Sequence, residues 1–233
     1  MLQVRQITSS LFDANCYVLW DEDSKVALVV DPGPGTAGSV KELLQDSGLS
    51  LGAILLTHGH GDHVWEAAAV QEGSEDIPVF ITAPDTFFME DPAGMLGIVP
   101  EKFGMAPWNP PANVTPLEKV SLDPVPGIGI RVVPAPGHSP GSAFFLVGSP
   151  GLPQPLAFSG DVVFAGSVGR TDLVGGDEYE MRESLRTLAQ VIDPATTLLP
   201  GHGPQTTWAR ELATNPYVVR AVQTRSGQGG SGF

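Results

Sequence analysis

The sequence predicts an α/β protein: one domain in which sheets are packed between helices. Three observations carry this. Short β-rich apolar runs alternate with stretches of helical periodicity along the whole chain. The same order, strands first and helices interspersed, occurs in both halves with no linker between them. The 28 glycines and 22 prolines in 233 residues demand many turns and argue against a helical bundle.

Taken in order, residues 2–8 (LQVRQIT), 16–20 (CYVLW) and 25–31 (KVALVVD) are short, β-branched and divided by polar turns, and read as strands. Residues 36–48 place Val40, Leu43 and Leu44 on one helical face and end at Gly48. Residues 51–57 (LGAILLT) read as a buried strand, and 62–73 (DHVWEAAAVQEG) as a helix opened by Asp62. Residues 77–82 (IPVFIT) form the next strand. Residues 84–116 carry seven prolines and are expected to be irregular, with Phe87, Phe88, Phe103 and Trp108 exposed, as a partial lid or a solvent-facing insertion.

In the second half, residues 129–138, 142–148 and 155–161 read as strands, and 178–192 as the clearest helix. Residues 196–203 are a strand running into a loop, and 206–215 and 216–223 are short closing helices. The domain is expected to span 1–225, with 226–233 (SGQGGSGF) as a disordered tail.

Composition narrows the function classes. The chain is 42% hydrophobic with a mean hydropathy of +0.07, enough for a sizeable core, and has no apolar run near the ~20 residues of a membrane span. A formal charge of −14 without a Lys/Arg cluster would repel nucleic acid. Cys16 is the only cysteine, so no internal disulfide forms. With no apolar leader at the start, a reducing cytoplasm is the expected location, with no membrane partner.

Five histidines remain to be placed. His58, His60 and His63 lie with Asp62 in THGHGDH; His138 lies in APGHSPG and His202 in LLPGHG. Each follows an apolar strand and sits in a Gly-containing loop, and Asp161 in AFSGD holds the same kind of position. Ligands of α/β folds gather at the carboxyl ends of strands, so these loops are expected to form one site. His58 and His60, two apart in an extended turn, can face one side, whereas the adjacent Asp62 and His63 must diverge. That suits two cations. Imidazole and carboxylate accept Zn, with Fe or Mn as alternatives.

THGHGDH, followed in order by His138, SGD and PGHG, and preceded by VVDPG, resembles the metallo-β-lactamase superfamily over nearly the whole chain. The resemblance implies a four-layer αβ/βα sandwich with a dinuclear site. It implies that His58, His60 and His138 hold the first metal, that Asp62, His63 and His202 hold the second, and that Asp161 bridges them. Asp62 would also orient the metal-bound hydroxide that acts as nucleophile, and Asp31 would support the loop without being a ligand.

Within the superfamily, β-lactamases usually lack the aspartate at position 161, nucleic-acid-processing members carry basic surfaces, and flavin-linked diiron members have Glu in place of His60. The stretch SGDVVFAGSVGRTDLVGGD is similar to glyoxalase-II-like hydroxyacylglutathione hydrolases. There a basic residue nine positions after the bridging Asp holds part of the thiol; here it is Arg170, and a structural pairing with Asp172 or Asp177 is the alternative. The expected partner is therefore a small-molecule thiol conjugate, cleaved as a thioester. Only 31 residues follow His202, too few for the C-terminal helical region of the classical glyoxalase II enzymes, so the thiol carrier stays open. Persulfide dioxygenase shares GRTD and would use a single iron on His58, His138 and Asp161. A lactonase and a non-catalytic metal-binding module are the remaining alternatives.

Overall fold

Apolar runs whose residues are buried on both sides build the centre of the molecule. In the computed structural model, which describes residues 1–117, 121–149, 152 and 154–223, they form two six-stranded sheets. The first joins β1 (Leu2–Thr8), β2 (Asn15–Asp21), β3 (Val26–Val30), β4 (Ser50–Leu55), β5 (Val79–Thr82) and β6 (Val114–Leu117) in sequential order. β1 to β3 pair antiparallel, β3 to β6 parallel. The second contains β7 (Ser121–Val125), β8 (Ile128–Pro134), β9 (Ala143–Gly148) and β10 (Leu156–Gly160) as an antiparallel meander. A small hairpin follows, β11 (Val163–Phe164) with β12 (Ser167–Val168). β13 (Thr197–Pro200) then pairs parallel with β10, and β14 (Thr206–Thr207) closes that edge.

Strand alternation divides each sheet's side chains between two layers. Tyr17 and Leu19 of β2, with Leu28, Val30 and Leu55, face Ile128, Ile130, Phe145 and Phe158 of the other sheet. The intervening Cys16, Val18 and Trp20 point outward against α1 (Ala37–Asp46), α2 (Gly61–Val64) and α3 (Ala67–Gln71). Phe144 and Leu198 of the second sheet pack under α5 (Glu178–Val191), α6 (Trp208–Thr214) and α7 (Pro216–Gln223), through Met181, Leu185, Trp208 and Val218. The order is helix, sheet, sheet, helix: the four-layer αβ/βα sandwich expected.

Two expectations need correction. Residues 62–73 do not form one helix. The chain breaks at Glu66, whose N–H donates to the Pro32 carbonyl at 2.9 Å while its carboxylate accepts from Ala37 N–H at 2.6 Å. Tertiary bonds outbid the local helical preference. Asp62 makes no cap bond, because its carboxylate turns toward His63 and His202. Residues 84–116 are more ordered than expected, with a 3₁₀ turn (Ala83–Met89), a short helix (Pro92–Leu96), a second 3₁₀ turn (Pro100–Phe103) and β6. Phe88 is fully buried and Trp108 donates from Nε1 to the Met89 carbonyl, whereas Phe103 is exposed as expected.

β6 and β7 went unanticipated because each contains a proline, Pro116 or Pro124, which reads against a strand. Both are edge strands, where a missing N–H is tolerated. The expected tail 226–233 lies outside the described residues. Among those described, no helix is long and apolar enough to cross a membrane.

The two sheets are tied beside the histidine loops. Tyr17 Oη donates to the Pro200 carbonyl at 2.8 Å, and Asn15 Nδ2 donates to Pro200 and Gly203 carbonyls at 3.0 and 2.9 Å. The ring of Phe158 lies 5.4 Å from that of Tyr17 and fills the layer between the sheets. Phe158→Ala should therefore lower stability by about 3–5 kcal/mol, measured by chemical denaturation. A loss below about 1 kcal/mol would show that the intersheet layer does not depend on this ring.

Candidate metal centre

Each candidate ligand stands where a strand stops. β4 runs into His58, His60 and His63; β8 leads to His138, β10 to Asp161 and β13 to His202. Packing the sheets face to face brings these loops together. His60 Nδ1 lies 2.8 Å from His138 Nε2, and the His58 ring centroid is within 4.9 Å of both. His63 Nε2 is 3.3 Å from His202 Nε2, and Asp62 Oδ2 is 3.2 Å from the same nitrogen. Asp161 spans the two groups: Oδ1 is 3.4 Å from His63 Nε2, while Oδ2 is 3.6 Å from His138 and 3.5 Å from His202. Two triads, His58–His60–His138 and Asp62–His63–His202, could each hold a cation; a third grouping, Asp31–His58–His63, reuses their histidines, and its carboxylate faces Thr57 and the Nδ1 side of His63.

Outer contacts decide which nitrogen of each ring faces inward. Thr57 Oγ1 donates to Asp31 Oδ2 at 2.6 Å, so it accepts from His58 Nδ1 at 3.0 Å and leaves Nε2 bare. Asp31 Oδ2 also lies 3.2 Å from His63 Nδ1, and its Oδ1 accepts from Thr57 N–H at 2.7 Å. One buried carboxylate thus aims two imidazoles. His138 Nδ1 donates to the Arg170 carbonyl at 2.8 Å, which again directs Nε2 into the site.

The electrostatics of the two triads differ. Burial, reinforced by the neighbouring imidazoles, holds His58 far below the ordinary imidazole value; burial and His138 hold His60 at about 3. Both stay neutral, with lone pairs free to ligate. Burial also acts to lower His63 and His202, but the carboxylates of Asp62 and Asp161 outweigh it and raise both. Burial acts to raise Asp62, and His63 beside it wins, keeping the carboxylate ionised.

These residues fit metal ions. His58 Nε2 and Asp161 Oδ1 are buried and have no hydrogen-bond partner, an arrangement that costs free energy unless a cation lies between them. His60 Nδ1 and His138 Nε2, 2.8 Å apart, can share one proton between them, and a cation that displaces it would find two nitrogen donors already facing each other. Room is reserved for the bridging carboxylate: a Cβ at Gly201 would stand 2.0 Å from Asp161 Oδ1.

A cleft of about 330 Å³ opens over the triads, with Phe12, Ile98, Phe164 and Leu173 as apolar walls and Arg170 at the rim. A larger groove of about 610 Å³ lies on the Trp65–Gln71 side and contains no histidine, so size alone does not locate the chemistry. The Arg170 guanidinium is exposed and grips Asp172 through two bonds, Nε–Oδ1 at 2.6 Å and Nη2–Oδ2 at 2.8 Å. Asp172, not Asp177, is its partner; Asp177 instead caps α5 by accepting from Glu180 N–H.

Two contributors escaped the sequence reading, both within 84–116. The Phe88 ring meets the His60 ring edge-on at 5.0 Å. Asp85 is completely shielded from solvent and bonds to both ligand loops. Burial raises its carboxyl above the ordinary range against the pull of its donors. No local signal marks Asp85, because its partners Gly59, Ser139 and Gly141 lie in segments distant in sequence.

Residues 10–202 match the metallo-beta-lactamase superfamily. The chain is 28% identical to hydroxyacylglutathione hydrolase GloC of Haemophilus influenzae, over 93% of this chain and 98% of that one. It is 37% identical to TTHA1623, solved in a di-iron-bound form, with a TM-score of 0.75, covering 91% of this chain and 99% of that chain. It is 33% identical to the BLEG-1 B3 metallo-beta-lactamase, with a TM-score of 0.79, covering 93% and 99%.

The glycine at 201 provides a direct check on the donor set. Gly201→Ala should fold, as judged by circular dichroism, yet retain less metal than the parent by elemental analysis after identical purification. Equal metal content would mean that Asp161 is not held where this geometry places it.

Proposed function

The chain belongs to the metallo-β-lactamase superfamily, and from that premise we propose that it is a metal-dependent hydrolase of small thioesters. The observation that carries the proposal is the pair of donor triads joined by Asp161 at the floor of one cleft. Its substrate would be an S-2-hydroxyacyl thiol conjugate, released as the hydroxy acid and the free thiol. Similarity to GloC supports that substrate class. The donors, all imidazole and carboxylate, suit two divalent ions, zinc first and iron or manganese next.

When bound, such cations would supply Lewis acidity and lower the pKa of a water to about 7. The chain's own groups would do the rest. His58, His60 and His138 would hold one ion, Asp62, His63 and His202 the other, with Asp161 between. Asp62 is ionised and lies at the mouth of the second triad, placed to accept a hydrogen bond from the attacking water and orient it. Phe12, Ile98, Phe164 and Leu173 would shield the acyl group from bulk water. Arg170 would exchange its Asp172 partner for a carboxylate of the thiol carrier.

Metal content and substrate together test this reading. The protein as purified should carry two metal ions per chain and cleave S-lactoylglutathione. One iron per chain, with O₂ consumed on glutathione persulfide, would overturn it in favour of a dioxygenase. Likeness to BLEG-1 supports β-lactam hydrolysis as a second reading, and turnover of nitrocefin in preference to the thioester would establish that instead.

Two variants refine the assignment. Asp161→Ala should reduce kcat/KM by more than about 100-fold, beyond the loss typical of an outer partner. Survival of full activity would remove its bridging role. Arg170→Ala should raise KM for an anionic thiol conjugate by about 3- to 10-fold with kcat little changed, the modest effect of an exposed pair. An unmoved KM would take Arg170 out of the substrate contact.

A further inference from the structure

The first triad is assembled from two loops that belong to different sheets. His58 and His60 follow β4 of the first sheet, whereas His138 follows β8 of the second. Nothing in either loop alone determines the 2.8 Å separation of His60 Nδ1 and His138 Nε2. The 3₁₀ turn Ala83–Met89 lies against both. Asp85 Oδ2 accepts from Gly59 N–H at 2.9 Å, between His58 and His60. The same oxygen accepts from Ser139 Oγ at 2.7 Å, beside His138, and Oδ1 accepts from Gly141 N–H at 2.6 Å. One step back on the chain, Thr82 Oγ1 donates to the Gly141 carbonyl at 2.6 Å.

We propose that Asp85 is a positioning residue for the first metal: its carboxylate clamps the His58–His60 loop to the His138 loop and sets their separation before metal arrives.

Three features of the contact support this role over simple packing. The carboxylate receives three donors, two of them backbone N–H groups in loops from opposite sheets. An amide of the same size has one oxygen and would turn an NH₂ toward at least one of those donors. Both loops are also pressed onto the turn without room for a side chain. A Cβ at Gly59 would lie 2.5 Å from Phe88 Cβ, and one at Gly141 would lie 2.2 Å from Thr82 Oγ1. Asp85 belongs to none of the donor groups among the described residues that could hold a cation, and its oxygens face the two loops. It acts through the loops.

The second triad is held by other contacts, none of them to Asp85. Asp62 and His63 sit on α2, and His202 is held from the first sheet by Asn15 and by the bridge between Ala14 and His202. Loss of the Asp85 carboxylate is therefore expected to weaken one metal selectively. This inference rests on the two-metal reading of the site, and the experiment separates the two.

The test is a titration of metal-stripped protein with Zn²⁺ in competition with a chromophoric chelator, giving both stepwise affinities. In the parent, two ions should bind; binding of none would refute the metal reading and overturn with it the role of Asp85, whereas a failure confined to the variants would overturn the role of Asp85 alone. In Asp85→Asn, the affinity assigned to the first triad should fall about 10- to 100-fold, the range for groups that orient ligands, while the other changes by less than about 3-fold. The sites are told apart by His202→Ala, which abolishes only the second. Unchanged affinities in folded Asp85→Asn, or equal losses at both sites, would overturn the proposal. Should Asp85→Asn fail to fold, Ser139→Ala decides the matter. It removes one of the three donors and should weaken the first ion about 3- to 10-fold; an unchanged affinity would overturn the proposal.

Discussion

His60 Nδ1 and His138 Nε2 face each other across 2.8 Å, each carried by a loop from a different sheet. At that distance the two nitrogens share a proton or, in its place, a cation, and burial removes the water that could otherwise satisfy them. The rest of the molecule maintains this contact. Hydrophobic layers on both faces of both sheets close the sandwich, and only in the closed sandwich do the strand ends meet. The favourable burial of those layers offsets the cost of desolvating so many polar groups in one place.

Buried carboxylates supply the precision that apolar packing lacks, because a hydrogen bond fixes direction and an apolar contact does not. Asp31 serves Thr57 and His63; Asp85 serves Gly59, Ser139 and Gly141. Glu211 performs a similar task on the outer layer. It accepts from Thr206 Oγ1, Gly166 N–H and Asn215 Nδ2, binding α6 to the β11–β12 hairpin. That hairpin carries Phe164, whose ring stands edge-on to His202 at 6.0 Å. Asp85 and Glu211 are satisfied by neutral donors, whereas Asp31 also faces His63, where burial is outweighed by the surrounding carboxylates and the pKa is raised. They account for only a small part of the −14 charge, most of which lies on the surface.

Much of the fold could be read from short-range pattern. β1 to β5, α1, β9, β10 and α5 fall within a residue or two of where alternation and helical spacing put them, while β8 stops at Pro134, four residues short of the expected end at 138. The misreadings share one cause. At Glu66 a helix stops because its amide is taken by Pro32, and in 84–116 prolines sit in 3₁₀ turns and an edge strand. Partners distant in sequence decide both, and no window of neighbouring residues contains them.

The site divides along the same line. By itself the sequence determined the donor types and the grouping of His58, His60, Asp62 and His63, because ligand chemistry depends on side-chain identity and their spacing is local. It also placed His138, Asp161 and His202 at strand ends, where loops converge. The tertiary structure alone decided which ring nitrogens point inward, that Arg170 is engaged by Asp172, and that Asp85 and Phe88 stand behind the first triad. Those are contacts between segments that only a closed sandwich brings together, and a hydrogen bond between them leaves no trace in the local order of residues.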